Sequence, residues 1–285
     1  MTSGAPAPSP VPVRSTPMRL LSFDAYRSFG IPDTRYLKPE LMYRHEAEIL
    51  AADWLLFPAS WQVDVLAWVY NKRLFPSIQS YHLGHDKVRM TRALWAAAPA
   101  HVPETLILPS TPAALEEILD TFSFPLVLKE PRSAEGRGVA LIEDRQALRD
   151  WAATHDVLYA QERLPIERDV RVTVVGDQVV AAYWRKAPQG GFHNNIARGG
   201  ELIFEDVPPQ AVSLVADLAR RLKIDHAGFD VALVDGHPFI LEFNVLFGNG
   251  GLEPLGVKLA DVIHQYLSRE TPGPTLQART SRHHP

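Results

Sequence analysis

Short apolar runs and amphipathic stretches alternate along most of this chain, and their periods predict its secondary structure. Alternating or continuous short apolar runs indicate strands, whereas spacings of three and four indicate helices. Residues 18–80 therefore predict a small α/β unit, and turn residues predict hairpins over 170–186 and 228–245. The other predicted strands are 19–24, 124–129, 139–142 and 157–162, with a short apolar run at 53–58. The predicted helices are 45–51, 62–75, 85–98, 112–122, 144–155, 209–223 and 256–267.

The second hairpin, GFDVALVDGHPFILEFNV from Gly228, carries the most informative pattern. Its bulky apolar residues must share one face, because a single core covers only one side of a hairpin. This condition requires an odd-numbered connection at 235–237, with Val234 opposite Pro238. Asp230 then lies opposite Glu242, with Asn244 further along the same face. The apolar set is Phe229, Val231, Leu233, Phe239, Leu241 and Phe243.

The polar face of this hairpin predicts a metal site. Two facing carboxylates repel each other unless a cation lies between them. Oxygen atoms of Asp, Glu and Asn suit a hard ion, so Asp230, Glu242 and Asn244 are candidate ligands for Mg²⁺ or Mn²⁺. A solvated polar face without a ligand is the alternative interpretation.

A glycine-bearing loop follows the predicted strand that ends at Lys129. Ser133, Gly136 and Gly138 are small enough for backbone N–H groups to approach phosphate oxygens, and Lys129 supplies a positive charge. Lys87, on the helix predicted over 85–98, is a second basic candidate. An ordinary hairpin loop and a surface lysine are the alternatives.

A polar, glycine-rich stretch, APQGGFHNNIARGG, occupies 187–200 and is too long for a simple turn. It indicates a functional loop, with an idle surface loop as the rival interpretation. Arg185 precedes this stretch and Arg198 lies within it.

Carboxylates also follow the strand that closes at Gln161 and Glu162. Asp169 and Glu167 could accept hydrogen bonds from sugar hydroxyls. Ion pairs with Arg168 or Arg171 are the alternative for both.

Composition removes several classes of function. The chain has 285 residues, of which 46% are hydrophobic and 22% charged, so general disorder is excluded. Its formal net charge of −4 gives no electrostatic case for nucleic acid or an anionic membrane. Zero cysteines exclude disulfides, thiolate metal sites and a Cys nucleophile, and fit a cytoplasmic location. Interrupting polar residues exclude a transmembrane interpretation of the most apolar stretch, 49–69.

In their order along the chain, these motifs resemble the ATP-grasp superfamily and, within it, the RimK-like carboxylate–amine ligases. The resemblance covers roughly residues 80–268, and its segments fall in family order with family-like spacing. They are HDK at 85–87, FPLVLK at 124–129 with SAEGRGV at 133–139, YAQE at 159–162, DVRVTVVGDQVVAAYWRKAP at 169–188, NIARGG at 195–200, AGFDV at 227–231 and LEFN at 241–244.

The resemblance implies an α+β ATP-grasp fold with a short N-terminal α/β pre-ATP domain. The predicted parts begin with a disordered Pro-rich arm at 1–17 and the pre-ATP domain at 18–84. A small lid subdomain with a linker helix at 85–160 and a metal-binding subdomain at 161–269 follow. A disordered tail at 270–285 ends the chain.

The resemblance also implies roles for individual residues. Lys87 and Lys129 would contact the phosphates of ATP, and the loop with Ser133, Gly136 and Gly138 would cover them. Two Mg²⁺ ions would bind Asp230, Glu242 and Asn244, and Arg185 and Arg198 would stabilise the transferring phosphoryl group and a tetrahedral intermediate. The other implied nucleotide contacts are Gln161, Glu162, Leu164, Asp169 and Asn195, with Glu167 as the second candidate for the ribose.

The implied activity is ATP-dependent ligation of a carboxylate to an amine through an acyl phosphate. The partners would be small-molecule or peptide substrates, without nucleic acid or membrane, and a homo-oligomer is left open. A phosphotransferase on the same scaffold and a non-catalytic nucleotide-binding module are the alternatives. One departure concerns the substrate: the family usually has S-P-G after the last metal ligand, whereas this chain has VLFGNGG at 245–251.

Overall fold

The computed structural model describes residues 18–133, 138–186 and 201–271, built around three β-sheets. The predicted N-terminal arm and nearly all of the predicted C-terminal tail lie outside these residues. No helix in the described ranges is long and apolar enough to cross a membrane.

The first sheet is parallel, with strand order β2-β1-β3-β4. One face packs on its own helical segments through Leu21, Met42 and Leu55, and the other packs on the C-terminal helix through Leu20 and Leu56. Both faces are buried, as parallel sheets require. The elements are β1 (Leu20–Ser22), β2 (Thr34–Tyr36), a 3₁₀ helix (Pro39–Arg44), α1 (Glu46–Ala51), β3 (Trp54–Leu56), a π-helix (Val65–Val69), β4 (Leu74–Phe75) and α2 (Ile78–Gly84).

The prediction of one helix over 62–75 was wrong at its C-terminal end. The π-helix ends at Val69, and Asn71 then adopts a left-handed conformation with φ of 50°. That conformation breaks the helical path, so the chain enters the sheet as β4. Helix α2, which the periodicity did not predict, begins where the Ser77 hydroxyl accepts a hydrogen bond from the Ser80 amide.

The second sheet is antiparallel, with strand order β5-β8-β6-β7 and two helices covering one face. Thr111 and Asp144 cap these helices through their side chains. The boundary predicted between residues 160 and 161 falls inside β8. The elements are β5 (Thr105–Pro109), α4 (Pro112–Thr121), β6 (Leu126–Lys129), β7 (Val139–Ile142), α5 (Arg145–Ala152) and β8 (Val157–Glu162).

The third sheet is antiparallel, with strand order β11-β10-β9-β12-β13. One face packs on α3 (Lys87–Ala97) and α6 (Pro209–Leu222), so α3 shares the core of this sheet through Met90 and Leu94. The other face shares a core with the first sheet and α7 (Leu259–Glu270). The strands are β9 (Arg168–Val175), β10 (Gln178–Lys186), β11 (Glu201–Ile203), β12 (His226–Val234) and β13 (His237–Asn244).

The β12–β13 hairpin has the predicted pairing of Asp230 with Glu242 but a different turn. Val234 pairs with His237, so the connection has two residues, Asp235 and Gly236, with φ of 51° and 80°. Positive φ at both central residues is typical of a type I′ turn, for which Asp-Gly is a favoured sequence.

A β-bulge restores the predicted pairing. Val231 pairs with Ile240 and Asp230 with Glu242, which leaves Leu241 as the extra residue in β13. The prediction that Phe239 and Leu241 share the core face was therefore wrong, and Ile240 occupies the core beside Phe243.

This turn gives a stability prediction. Gly236→Val should lower the free energy of unfolding by about 1–2 kcal/mol or more, because a β-branched residue resists positive φ. A Cβ at this position would contact nothing within 4 Å, so a clash would not contribute. Urea unfolding measures the change. Gly236→Asn is the matched control and should lose clearly less, because Asn tolerates this conformation; equal losses would contradict the turn assignment.

Candidate functional site

Four charged side chains, three of them buried and Arg171 partly buried, lie on three neighbouring strands of the third sheet. Asp169 and Arg171 lie two residues apart on β9, so their side chains share a face. Arg185 on β10 pairs in register with Asp169, and Asp230 on β12 pairs with Arg171. Opposite charges therefore face each other directly across both strand boundaries.

Short ion pairs connect these four groups. Arg185 Nε lies 2.7 Å from Asp169 Oδ1, and its Nη2 lies 2.9 Å from Asp230 Oδ2. Arg171 Nε lies 2.8 Å from Asp230 Oδ1. Burial alone would lower the pKa of Arg185, but the two carboxylates outweigh burial and raise it. Gly228 makes room for this arrangement, because a Cβ there would collide with the Arg171 guanidinium.

Glu242 lies beside this network at the edge of a cleft. Its side chain is 28% exposed, and its Oε1 accepts a hydrogen bond of 3.1 Å from the Asn244 amide. Its Oε2 lies 3.7 Å from Lys87 Nζ. Asp230 lies behind Glu242 and is 7% exposed, so the two carboxylates are paired in register but differ in access.

Lys87 is held at the start of α3. Asp86 caps this helix by accepting hydrogen bonds from the amides of Val88 and Arg89. The Lys87 amide donates to the Pro131 carbonyl at 2.8 Å. Its ammonium donates to the carbonyl and hydroxyl oxygens of Ser133, at 2.8 and 3.2 Å. Lys87 therefore links the predicted phosphate loop to Glu242.

Lys129 ends β6 and is 8% exposed, close to the Tyr159 ring. Burial lowers the pKa of Lys129 to about 8; nearby Glu242 opposes the shift and Lys87 adds to it. The predicted phosphate-binding lysine thus shares the electrostatic environment of Glu242, although it lies behind the cleft wall. Gly138, at the far end of the loop, has φ of 69° and accepts a hydrogen bond of 2.7 Å from the Glu130 amide.

A cleft of about 870 Å³ is lined by segments from all three sheet-containing units, among them Ser60, Ser133 and Glu242. Such a volume lies within the range typical of small-molecule sites. Four predicted site residues line it: Lys87, Ser133, Glu242 and Asn244. Asp230, Lys129 and Arg185 lie behind them as buried charges.

The predicted nucleotide contacts at the end of β8 have partners within the protein. Gln161 is buried, and its amide donates to the Thr105 hydroxyl at 2.8 Å. Glu162 exchanges backbone and side-chain hydrogen bonds with Glu104. The Leu164 carbonyl accepts a hydrogen bond from the Ile166 amide. Their contacts with adenine stay predictions.

The carboxylates predicted for the ribose differ in exposure. Glu167 is exposed, whereas Asp169 is 5% exposed and paired with Arg185. The ion-pair alternative for Asp169 named Arg168 and Arg171, and the structure pairs it with Arg185 instead. Three other predicted site residues, Gly136, Asn195 and Arg198, lie outside the described residues.

Sequence reasoning missed Arg171 as part of the site. A signal was present, because Asp169 and Arg171 alternate along a strand and must share a face. Two further residues that contact the loop after Asn244 had no such signal. His226 Nδ1 lies 2.7 Å from the Val245 carbonyl, and Arg27 donates to the carbonyls of Leu246 and Phe247 at 3.3 and 3.2 Å.

The donor atoms fit a hard cation, but Asp230 and Glu242 repel each other less than the sequence suggested. Arg171, Arg185 and Lys87 already offset the charge of Asp230 and Glu242. Within the described ranges, no group of three or more His, Cys, Asp or Glu side chains could hold a metal ion. The predicted set has two carboxylates and one amide, and the Glu242 and Asn244 side chains reach the cleft.

Comparisons with known proteins agree with this geometry. The RimK-like ATP-grasp domain family matches residues 84–267. A probable alpha-L-glutamate ligase from Citrobacter koseri is 32% identical over 213 residues, which cover 69% of this chain and 70% of the relative. A ribosomal protein bS6–L-glutamate ligase from Escherichia coli O139:H28 is 30% identical over the same shares of both chains.

Solved structures show the same fold at low sequence identity. The RimK domain protein ATP-grasp from Sphaerobacter thermophilus superposes with a TM-score of 0.61 at 18% identity, over 76% of this chain and 81% of that one. The D-alanine–D-alanine ligase from Bacillus anthracis gives a TM-score of 0.68 at 13% identity, over 89% and 98%. With the family match and the sequence relatives, the conclusion is direct: the chain belongs to the RimK-like ATP-grasp family of ATP-dependent carboxylate–amine ligases.

Proposed function

We propose that this enzyme transfers the γ-phosphoryl group of ATP to a substrate carboxylate, and that an amine then displaces phosphate from the acyl phosphate. Both substrates are small molecules or peptides, and the reaction takes place in the cytoplasm. The observation that carries the proposal is the placement of Lys87, Ser133, Glu242 and Asn244 around one cleft, with Lys129 directly behind it.

The charges of the cleft suit a polyphosphate bound with a divalent cation. Lys87 and Lys129 would attract phosphate oxygens. Glu242 and Asn244, together with an oxygen of Asp230, would hold Mg²⁺, and two such ions are proposed. A divalent ion held by these residues would supply positive charge against the phosphate oxygens.

We assign Arg185 a positioning role in place of the direct contact that its sequence position implied. Its side chain is 7% exposed and pairs with both Asp169 and Asp230. Arg185 would hold the Asp230 carboxylate toward Glu242. Stabilisation of the tetrahedral intermediate stays a prediction for Arg198. The three-part domain division at 18–84, 85–160 and 161–269 also stays a proposal.

Two substitutions test the charge assignments. Lys129→Ala and Glu242→Gln should each lower the rate of ATP turnover by about 10²–10³, or roughly 3–4 kcal/mol of barrier, because each removes one charge contact in the site. Steady-state ADP release at saturating ATP and Mg²⁺ measures the effect. Lys38→Ala and Glu40→Gln change exposed residues outside the cleft and should keep the wild-type rate. A near wild-type rate in either site variant would refute its role.

The lowered pKa of Lys129 gives a pH prediction. Below pH 8 its ammonium is protonated and attracts phosphate; as the pH rises through 8 the amine becomes neutral and the attraction is lost. The affinity for ATP should therefore fall over roughly pH 7 to 9 in the wild type. Lys129→Arg keeps its charge throughout and should show a flatter profile. Isothermal titration measures the ATP affinity at each pH. The same dependence of affinity on pH in the wild type and in Lys129→Arg would contradict the assignment.

The fate of the phosphate tests the reaction class. Without its amine, the enzyme should form an acyl phosphate that hydroxylamine traps as a hydroxamate. With the amine, ADP and inorganic phosphate should appear in equal amounts. A phosphotransferase would instead release ADP and a stable phosphorylated product, with no hydroxamate, and that pattern would refute the proposed ligation.

A further inference from the structure

The topology of the first sheet creates a second crevice beside the main cleft. Strand β1 has β2 on one side and β3 on the other, so the chain reverses its direction of winding between β1 and β3. In open parallel sheets, ligands bind outside the carboxyl ends of the two strands at such a point. Here those ends lead into Phe23–Asp24 and Phe57–Ser60.

A pocket of about 370 Å³ lies at this point. Its walls are mostly apolar, and the hydroxyl of Tyr81 is already used as a donor to the Pro58 carbonyl at 2.9 Å. Asp24 is the single charged group among the described residues that line it. The apolar lining consists of Phe23, Pro39, Phe57, Pro58, Ala59, Tyr81 and Leu246.

The backbone of Phe57 is held in an unusual conformation in this wall. Its φ is 47°, a left-handed value that bulky residues rarely adopt. The Phe57 amide donates to the Phe75 carbonyl at 2.6 Å, and its ring packs edge-on against Phe75 and His226. Strain that the surroundings maintain in this way is typical of ligand sites.

The pocket adjoins the main cleft, because Ser60, Tyr81 and Leu246 line both. Leu246 follows Asn244 by two residues, and the Arg27 guanidinium holds the carbonyls of Leu246 and Phe247. A molecule in the pocket could therefore direct one end toward Glu242 and Asn244.

Asp24 sets the charge preference of the pocket. Its side chain is 37% exposed, and its Oδ1 accepts a hydrogen bond of 3.0 Å from the Arg27 amide. The Arg27 Nε lies 3.7 Å from its Oδ2, while the rest of that guanidinium faces the two carbonyls. Asp24 thus offers a carboxylate oxygen to a cationic group beside an apolar surface.

We propose that this pocket binds the carboxylate substrate, that this substrate is an amino acid with an apolar side chain, and that its ammonium group pairs with Asp24. The proposal rests on the proposed function and adds the class of substrate. The proposed amino acid differs from glutamate, which is the amino acid in the names of the sequence relatives. The lining described here contains no Lys, Arg or His that could pair with an acidic side chain.

Direct binding tests the pocket independently of catalysis. Isothermal titration of the full chain would compare L- and D-leucine with L-glutamate and with 4-methylpentanoate, which is leucine without its amino group. One enantiomer of leucine should bind at least tenfold more tightly than L-glutamate or 4-methylpentanoate. Tighter binding of glutamate, equal binding of 4-methylpentanoate, or no binding of leucine would overturn the proposal.

A matched pair of variants tests Asp24 itself. Asp24→Asn keeps the acceptor for the Arg27 amide but removes the charge, and it should weaken leucine binding at least tenfold while leaving 4-methylpentanoate unchanged. Asp33→Asn changes an exposed carboxylate of the same unit and should have no effect. Unchanged leucine binding in Asp24→Asn would refute the proposed ion pair between Asp24 and the ammonium group. If that variant does not fold, the comparison of ligands on the wild-type protein still tests the proposal.

Turnover separates this proposal from the proposed function. Hydroxamate formation with leucine but not glutamate would support both. Formation with glutamate alone would overturn the substrate class and leave the ligase intact. Leucine binding accompanied by a stable phosphorylated product would overturn the ligase and leave the pocket assignment intact.

Discussion

A network of four paired charges beside the cleft, three of them buried and Arg171 partly buried, constrains the rest of the site. A buried charge is costly unless it is paired, and removal of one partner typically destabilises a protein by about 3–5 kcal/mol. Asp169 pairs with Arg185 across β9 and β10, and Arg171 with Asp230 across β9 and β12. These pairs make the charge pairing depend on strand register, because a one-residue slip of β9 would turn Asp169 and Arg171 to the opposite face, away from Arg185 and Asp230. Because Asp230 pairs in register with Glu242, the position of Asp230 also fixes the strand position of Glu242 at the cleft.

The β12–β13 hairpin shows how far local patterns could predict the site. Alternation of apolar and polar residues predicted that Asp230 faces Glu242, and the register confirms this pairing. The predicted turn was wrong, because Asp235 and Gly236 favour a two-residue type I′ connection. The extra residue of the pairing lies at Leu241, in the strand instead of the turn. The alternation pattern shows that one extra residue lies between Asp230 and Glu242. It cannot show whether that residue lies in the turn or in a β-bulge within a strand.

Contacts between distant segments were the part that sequence could not provide. Local signals at strand and helix ends singled out Lys87 and Ser133, and the structure brings both to one cleft, where their contacts with phosphate stay a prediction. Arg27 reaches a loop about 220 residues further along the chain, and no periodicity links the two. The short unit before residue 85 likewise gave little indication of its crevice, which arises from the order of its strands in space.

The loop after Asn244 lies between the main cleft and the crevice of the first sheet, because Leu246 lines both. His226, whose pKa burial lowers to about 3, stays neutral and holds the Val245 carbonyl from the third sheet. Arg27 holds the next two carbonyls from the first unit. The carbonyls of three successive residues are thus held by side chains from the third sheet and the first unit, directly after the proposed metal ligands, and the middle residue, Leu246, lines the crevice. The sequence VLFGNGG at 245–251, which replaces the usual family sequence, contributes Leu246 to the proposed substrate pocket, whereas Lys87, Glu242 and Asn244 line the adjoining cleft that we propose for the phosphates. Under these two proposals, a change of substrate is compatible with unchanged phosphoryl chemistry, because each depends on different residues of adjoining segments.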